Sequence, residues 1–128
     1  MSRTVLLIED NEQNRYLATF LLERRGYRVV SAVDGPGGVE QARSLAPDLI
    51  LLDIQLPGMD GYAVARALRA VEALRATPVI AVTSYAMVGD REKSLAAGCT
   101  GYIEKPINPD TFVSEIERFA PPSPSSAP

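Results

Sequence analysis

The sequence predicts an α/β fold built from five (βα) units, a doubly wound parallel five-stranded sheet with strand order 2-1-3-4-5. Three observations lead there. Apolar runs and helical patterns alternate five times along the 128 residues. The strand candidates are nearly all apolar rather than alternating, which implies burial on both faces and a parallel sheet covered by helices on each side. Right-handed strand–helix–strand connections then wind the units to either side of the first strand. In this order strands 1 and 3 are neighbours. The switch point between their carboxyl ends is where open α/β sheets keep their chemistry.

Each element carries its own signal. The first strand, Thr4–Ile8, closes on Glu9-Asp10. The helix Asn11–Arg25 follows and is stopped by Gly26 after Arg24-Arg25. Within it Ala18, Leu21 and Leu22 share the face expected to pack on the sheet, while Leu17 and Phe20 form an adjacent stripe with Gln13 and Arg24. After the strand Arg28–Ala32, Asp34-Gly35 and Gly37-Gly38 bracket the turn into the helix Gly35–Leu45. Ala46-Pro47-Asp48 forces extension ahead of the central strand Leu49–Asp53. The third helix is expected over Tyr62–Leu74 and the fourth strand over Val79–Thr83. A helix Val88–Ala97, ended by Gly98, leads to the last strand, Gly101–Glu104. Asn108-Pro109-Asp110 reads as an N-cap with proline at the first helical position of Asp110–Phe119. Residues 1–120 are thus expected to form one domain. The Pro/Ser-rich stretch 121–128 has no core-forming residue and is expected to be a disordered tail or a truncated linker.

Composition excludes several classes. The chain is 46% hydrophobic and 23% charged, enough to build a core. Lys+Arg of 13 against Asp+Glu of 16 leaves a net charge of −3, which argues against nucleic-acid or anionic-membrane binding. The single cysteine, Cys99, forbids an internal disulfide, fits a reducing cytoplasm, and reads as a small buried filler. No signal-peptide pattern or membrane-length apolar run is present. The chain has no histidine, so it is not itself a phosphohistidine donor, a His-triad hydrolase or an imidazole-ligated metal enzyme.

The polar residues at the strand ends carry the chemistry. Asp53 ends the apolar run Leu49-Ile50-Leu51-Leu52, and Glu9 and Asp10 follow Val5-Leu6-Leu7-Ile8. The topology brings these acids to one sheet edge. Three carboxylates there repel one another unless a cation lies between them. Mg²⁺, which takes hard oxygen ligands and keeps several waters, suits one or two of them together with a backbone carbonyl from the Asp53 loop. Thr83 and Lys105 end the fourth and fifth strands and add a hydroxyl and an ammonium donor to the same edge, as a phosphoryl group on Asp53 would require. Lys105 precedes Pro106, and a cis peptide there would aim its side chain back toward the acids.

Glu9-Asp10, Asp53 with Leu56-Pro57-Gly58-Met59-Asp60-Gly61, Thr83-Ser84 and Lys105-Pro106 together resemble the signature of the response-regulator receiver domain of bacterial two-component signalling. The likeness covers about residues 4–119. It implies a flavodoxin-like receiver that takes a phosphoryl group from a sensor histidine kinase or a histidine phosphotransfer protein, with Mg²⁺. By motif position Asp53 matches the phosphoacceptor, Asp10 the direct metal ligand, and Glu9 the acid acting through water. The backbone carbonyl of Gln55 matches the third protein ligand, Thr83 the switch hydroxyl, Lys105 the phosphate-pairing lysine and Tyr102 the mobile aromatic. Thr83 turning inward would free space for Tyr102 and reshape the surface of helix 4, strand 5 and helix 5, the expected docking face for a downstream protein. Val82-Thr83-Ser84-Tyr85-Ala86-Met87 with Gly89-Asp90 resembles stand-alone cell-cycle receivers and receivers fused to hybrid kinases. The oligomeric expectation is a monomer or a phosphorylation-dependent dimer.

Two finer expectations follow. Gln55 and Tyr85, each two residues past a key strand end, would flank the path of hydrolytic water. Bulky Tyr85 would slow loss of the phosphoryl group, or else simply cover core. The Gln13, Leu17 and Phe20 stripe would dock on the kinase's helical bundle, or else extend the core. Competing classes are weaker. A small-molecule phosphohydrolase with Asp53 as nucleophile typically needs a second acid where Gln55 stands. A flavin or nucleotide module needs a Gly-rich or hydroxyl-rich phosphate loop where Glu9-Asp10-Asn11-Glu12 stands. A degenerate receiver acting only as scaffold would not need the complete motif set. Absence of an output segment after residue 120 suggests a stand-alone regulator, with an excised hybrid-kinase receiver as the alternative.

Overall fold

The computed structural model describes residues 3–56, 60–84 and 89–120. The strands are β1 (Thr4–Ile8), β2 (Arg28–Ala32), β3 (Leu49–Asp53), β4 (Val79–Thr83) and β5 (Gly101–Glu104). They form one parallel sheet in the order β2-β1-β3-β4-β5, as expected from the sequence. The central β3 and β4 are buried along their whole length, whereas β2 and β5 expose residues as edge strands do.

Alternation along the strands divides the core. Leu6, Ile8, Ile50 and Leu52 face one layer with Val64, Ala65 and Leu68. Val5, Leu7, Leu49 and Leu51 face the other with Leu22, Phe112 and Ile116. Each fully buried Leu or Ile side chain contributes about 1.5–3 kcal/mol, so the two layers rather than helix propensity hold the elements in place.

The helices are α1 (Glu12–Arg24), α2 (Gly35–Leu45), α3 (Gly61–Ala70), α4 (Asp90–Ala96) and α5 (Phe112–Phe119). Asn11 caps α1 by accepting from the Asn14 N–H at 2.8 Å, and Asp34 caps α2 by accepting from the Gly37 N–H at 2.7 Å. Gly26 takes φ +91° where α1 stops, a conformation in which a side chain would be strained. As expected, Ala18, Leu21 and Leu22 are the buried residues of α1, and Cys99 is buried.

Several helix ends shift by one residue, and three boundaries differ further. The fourth helix begins at Asp90, after Gly89 at φ +93°. The third helix does not run unbroken to Leu74. It ends at Ala70, Val71 turns extended at φ −80° and ψ 117°, and a 3-10 turn covers Glu72–Leu74. The cause is Arg69. Its guanidinium donates to the carbonyls of Leu74 at 2.8 Å, Thr77 at 2.6 Å and Gly98 at 2.7 Å, drawing the segment after α3 back on itself. The last helix begins at Phe112 rather than Asp110. Asn108 still organises its start, since Oδ1 accepts from the Asp110 N–H at 2.9 Å and its carbonyl from the Phe112 N–H at 2.9 Å, but residues 109–111 form a turn. Val88, the expected start of the fourth helix, and the tail 121–128 lie outside the described residues.

Candidate functional site

The site is a staircase set by strand register. Ile8 pairs with Leu52, so Glu9 stands beside Asp53. Asp53 pairs with Val82, which puts Thr83 one step beyond it. Thr83 pairs with Glu104, which puts Lys105 one step further again. Residues far apart in sequence thus meet because each lies at, or within two residues past, the carboxyl end of its strand.

Glu9, Asp10 and Asp53 each offer a carboxylate oxygen within 4.8 Å of the other two. Glu9 and Asp53 are each 3% exposed, while Asp10 is open to solvent. Lys105 Nζ lies 3.0 Å from Glu9 Oε1 and 3.4 Å from Asp53 Oδ1. The Lys105–Pro106 peptide is cis. Burial, reinforced by the neighbouring Asp53 carboxyl and opposed by the Lys105 ammonium, pushes the Glu9 carboxyl up to about 7. Three converging carboxylates, two of them buried, are the hard-oxygen donor set that a small divalent cation requires, so the residues present fit Mg²⁺.

Main-chain and side-chain donors fix the acids. The Asn11 N–H donates to Glu9 Oε2 at 3.2 Å, and the Gln55 N–H donates to Asp53 Oδ1 at 2.9 Å. Arg15 reaches back from α1 to donate to the carbonyls of Glu9 at 3.1 Å and Asp10 at 3.0 Å. Thr83 is 1% exposed. Its Oγ1 accepts from the side-chain amide of Gln55, whose amide oxygen in turn accepts from the Ser84 N–H at 3.1 Å. The sequence reading missed Arg15 and the side chain of Gln55. An arginine one turn into the helix after an acidic strand end is the available signal for the first. The second had none, since Gln55 drew attention for its carbonyl and its position alone.

The remaining expected residues are placed as follows. Tyr102 is half-buried on β5 and packs against the layer containing Leu6 and Leu52. Burial, then the Asp90 and Glu104 carboxylates, push its phenol upward. Beside it runs a groove of about 400 Å³ lined by Arg91, Leu95, Glu104, Arg118 and Phe119. On α1, Gln13 is exposed, Phe20 is 47% exposed with the Arg24 guanidinium 5.6 Å from its ring centre, and Leu17 packs partly against the core. The sequence reading also missed Tyr16, 74% exposed one turn before Phe20. Tyr85, Pro57, Gly58 and Met59 lie outside the described residues.

A strand-end cluster of acids, a half-buried lysine and a buried hydroxyl on this topology define a class of phosphoryl-signalling domain. The family model of the response regulator receiver domain matches residues 5–117, and the chain belongs to that family. It is 43% identical over 119 residues to the polar-differentiation response regulator DivK of Brucella abortus (strain S19), covering 93% of this chain and 97% of that one. The chemotaxis response regulator CheY4 of Vibrio cholerae superposes with a TM-score of 0.89 at 28% identity, over 93% of this chain and 99% of that one. The receiver domain of the sensor histidine kinase PA1611 of Pseudomonas aeruginosa PAO1, solved with a magnesium ion in its active-site cleft, gives 0.85 at 38% identity, over 94% and 98%. This is a family of signalling proteins rather than a classical enzyme family, which sets aside the phosphohydrolase reading. Among the described residues no helix is long and apolar enough to cross a membrane.

Proposed function

We propose that the chain accepts a phosphoryl group on Asp53 from the phosphohistidine of a sensor kinase or phosphotransfer protein. The observation that carries this is the convergence of Glu9, Asp10, Asp53 and Lys105 at one sheet edge. A carboxylate oxygen of Asp53 attacks phosphorus in line. The P–N bond of the donor breaks, its electron pair leaves with the imidazole, and the product is an aspartyl phosphate. Asp10 and Asp53 would hold Mg²⁺, with Glu9 acting through water and the Gln55 carbonyl as a further protein ligand. When bound, the ion neutralises charge among the carboxylates and the phosphoryl oxygens. Lys105, already 3.4 Å from Asp53, pairs with a phosphoryl oxygen. The Gln55 N–H on Oδ1 keeps the carboxylate oriented. Catalysis is therefore positioning and electrostatics, with little other covalent work for the protein.

The new group adds about −1.5 to −2 charge, by analogy with other phosphorylated side chains. Thr83 moves to donate to it, Tyr102 shifts inward, and the groove beside Tyr102 changes shape, altering the face of α4, β5 and α5 offered to a downstream protein or to a second copy of the chain. This is a shift between two populations. The exposed Phe20, with Gln13 and the edge of Leu17, forms the docking stripe for the phosphohistidine donor. The unit acts as one domain over residues 1–120, in the cytoplasm.

The test is intact-mass spectrometry after incubation with acetyl phosphate and Mg²⁺. Wild type is expected to gain one phosphoryl adduct, and Asp53→Ala none. An unmodified wild type, or an adduct that survives in the variant, overturns the assignment.

A further inference from the structure

Gln55 joins the two loops of the site. Its main-chain N–H is spent on Asp53. Its side-chain amide is spent on the other loop: the NH₂ donates to Thr83 Oγ1, and the oxygen accepts from the Ser84 N–H. An amide carries a donor and an acceptor in fixed relation, and here both grip consecutive residues at the end of β4. The hydroxyl that would answer a phosphoryl group is thus held by a neighbour of the phosphoacceptor, on the same loop as the phosphoacceptor.

We propose that the Gln55 side chain is a positioning residue that holds Thr83 and Ser84 in the unphosphorylated arrangement, so that the phosphoryl group must compete with it for the switch hydroxyl. This rests on the reading of Asp53 as acceptor. A ligand that binds only the rearranged state shows an affinity reduced by the fraction of molecules in that state. A latch of one or two hydrogen bonds of ordinary net strength lowers that fraction by about 3–10-fold. Removing the amide raises it by the same factor. The latch thereby sets how readily the switch responds, independently of the charges that make Asp53 reactive.

The experiment is a titration of the full chain, in Mg²⁺, with beryllofluoride as the phosphoryl mimic, followed by NMR. Wild type is compared with Gln55→Leu and Gln55→Met, which keep bulk and lose both bonds. Before any beryllofluoride is added, the amide resonances of Tyr102 and Ile103, remote from the substitution, are expected to lie part-way toward their beryllofluoride-saturated positions. The affinity for beryllofluoride is expected to rise about 3–10-fold. Resonances that stay at wild-type positions, or an affinity unchanged or weakened, overturn the latch while leaving the acceptor reading intact. Unfolding of both variants also overturns it, since Gln55 would then serve stability. A wild type with no saturable response removes the acceptor reading and this inference together.

Discussion

Lys105 Nζ sits 3.0 Å from Glu9 Oε1 although the strands that deliver them, β5 and β1, are separated by β3 and β4. The ammonium reaches across the ends of both intervening strands. It opposes the burial that pushes the Glu9 carboxyl up to about 7. Lys105→Met is therefore expected to drive that carboxyl higher still, read by ¹³C NMR titration of the glutamate carboxyls. The same variant is expected to form the acetyl-phosphate adduct about tenfold more slowly or worse, because a preorganised cation near developing charge is lost.

If the acid cluster holds Mg²⁺ as proposed, proton and cation compete at Glu9. Its value in the folded protein lies above the ordinary 4.5. The stability contributed by its protonated form is therefore fully present below the ordinary glutamate range and is lost as pH rises through about 7. A bound cation favours the charged form and reverses that loss. The Mg²⁺-dependent rise in Tm is expected to be larger at about pH 8 than at about pH 6. Differential scanning calorimetry at both values checks it, and an equal rise contradicts it.

Tyr27 ties the end of α1 to α5. Its hydroxyl donates to Glu117 Oε2 at 2.7 Å, and Arg25 pairs with Oε1 of the same carboxylate at 3.2 Å. Tyr27→Phe loses a bond to a charged acceptor and is expected to cost about 1–2 kcal/mol in urea unfolding. Burial, then Glu117, push the Tyr27 phenol up to about 12. Its contribution is present below the ordinary tyrosine range and is lost as pH rises through about 12, so the gap between wild type and Tyr27→Phe should narrow over that window.

Gly61 opens α3 against the loop that carries Gln55. A Cβ placed there would meet Ile54 Cα at 2.5 Å and its carbonyl oxygen at 2.6 Å. Both are backbone atoms, so the loop itself must move. Gly61→Ala is expected to destabilise by about 1–3 kcal/mol and to weaken Mg²⁺ binding, measured by calorimetric titration. Loss of stability with unchanged affinity would show that the loop absorbs the shift.

All five strands were legible from end to end: β1, β3 and β4 as apolar runs closed by a charged or hydroxyl residue, and the edge strands β2 and β5 as less apolar stretches bounded by turn signals. The convergence of Glu9, Asp10 and Asp53 was legible for the same reason, once the strand order was set. The break at Val71 was not. Val71-Glu72-Ala73-Leu74 keeps a helical pattern, and what overrides it is the reach of the Arg69 guanidinium to carbonyls as far away as Gly98. The grip of Gln55 on Thr83 and of Arg15 on the Glu9 and Asp10 carbonyls was equally hidden, since both depend on side-chain rotamers that spacing does not encode.

The ammonium bridge from the outermost strand to the first also acts as a tether. Any displacement of the β5 end therefore carries the Lys105 ammonium with it and changes the charge felt by Glu9 and Asp53 together.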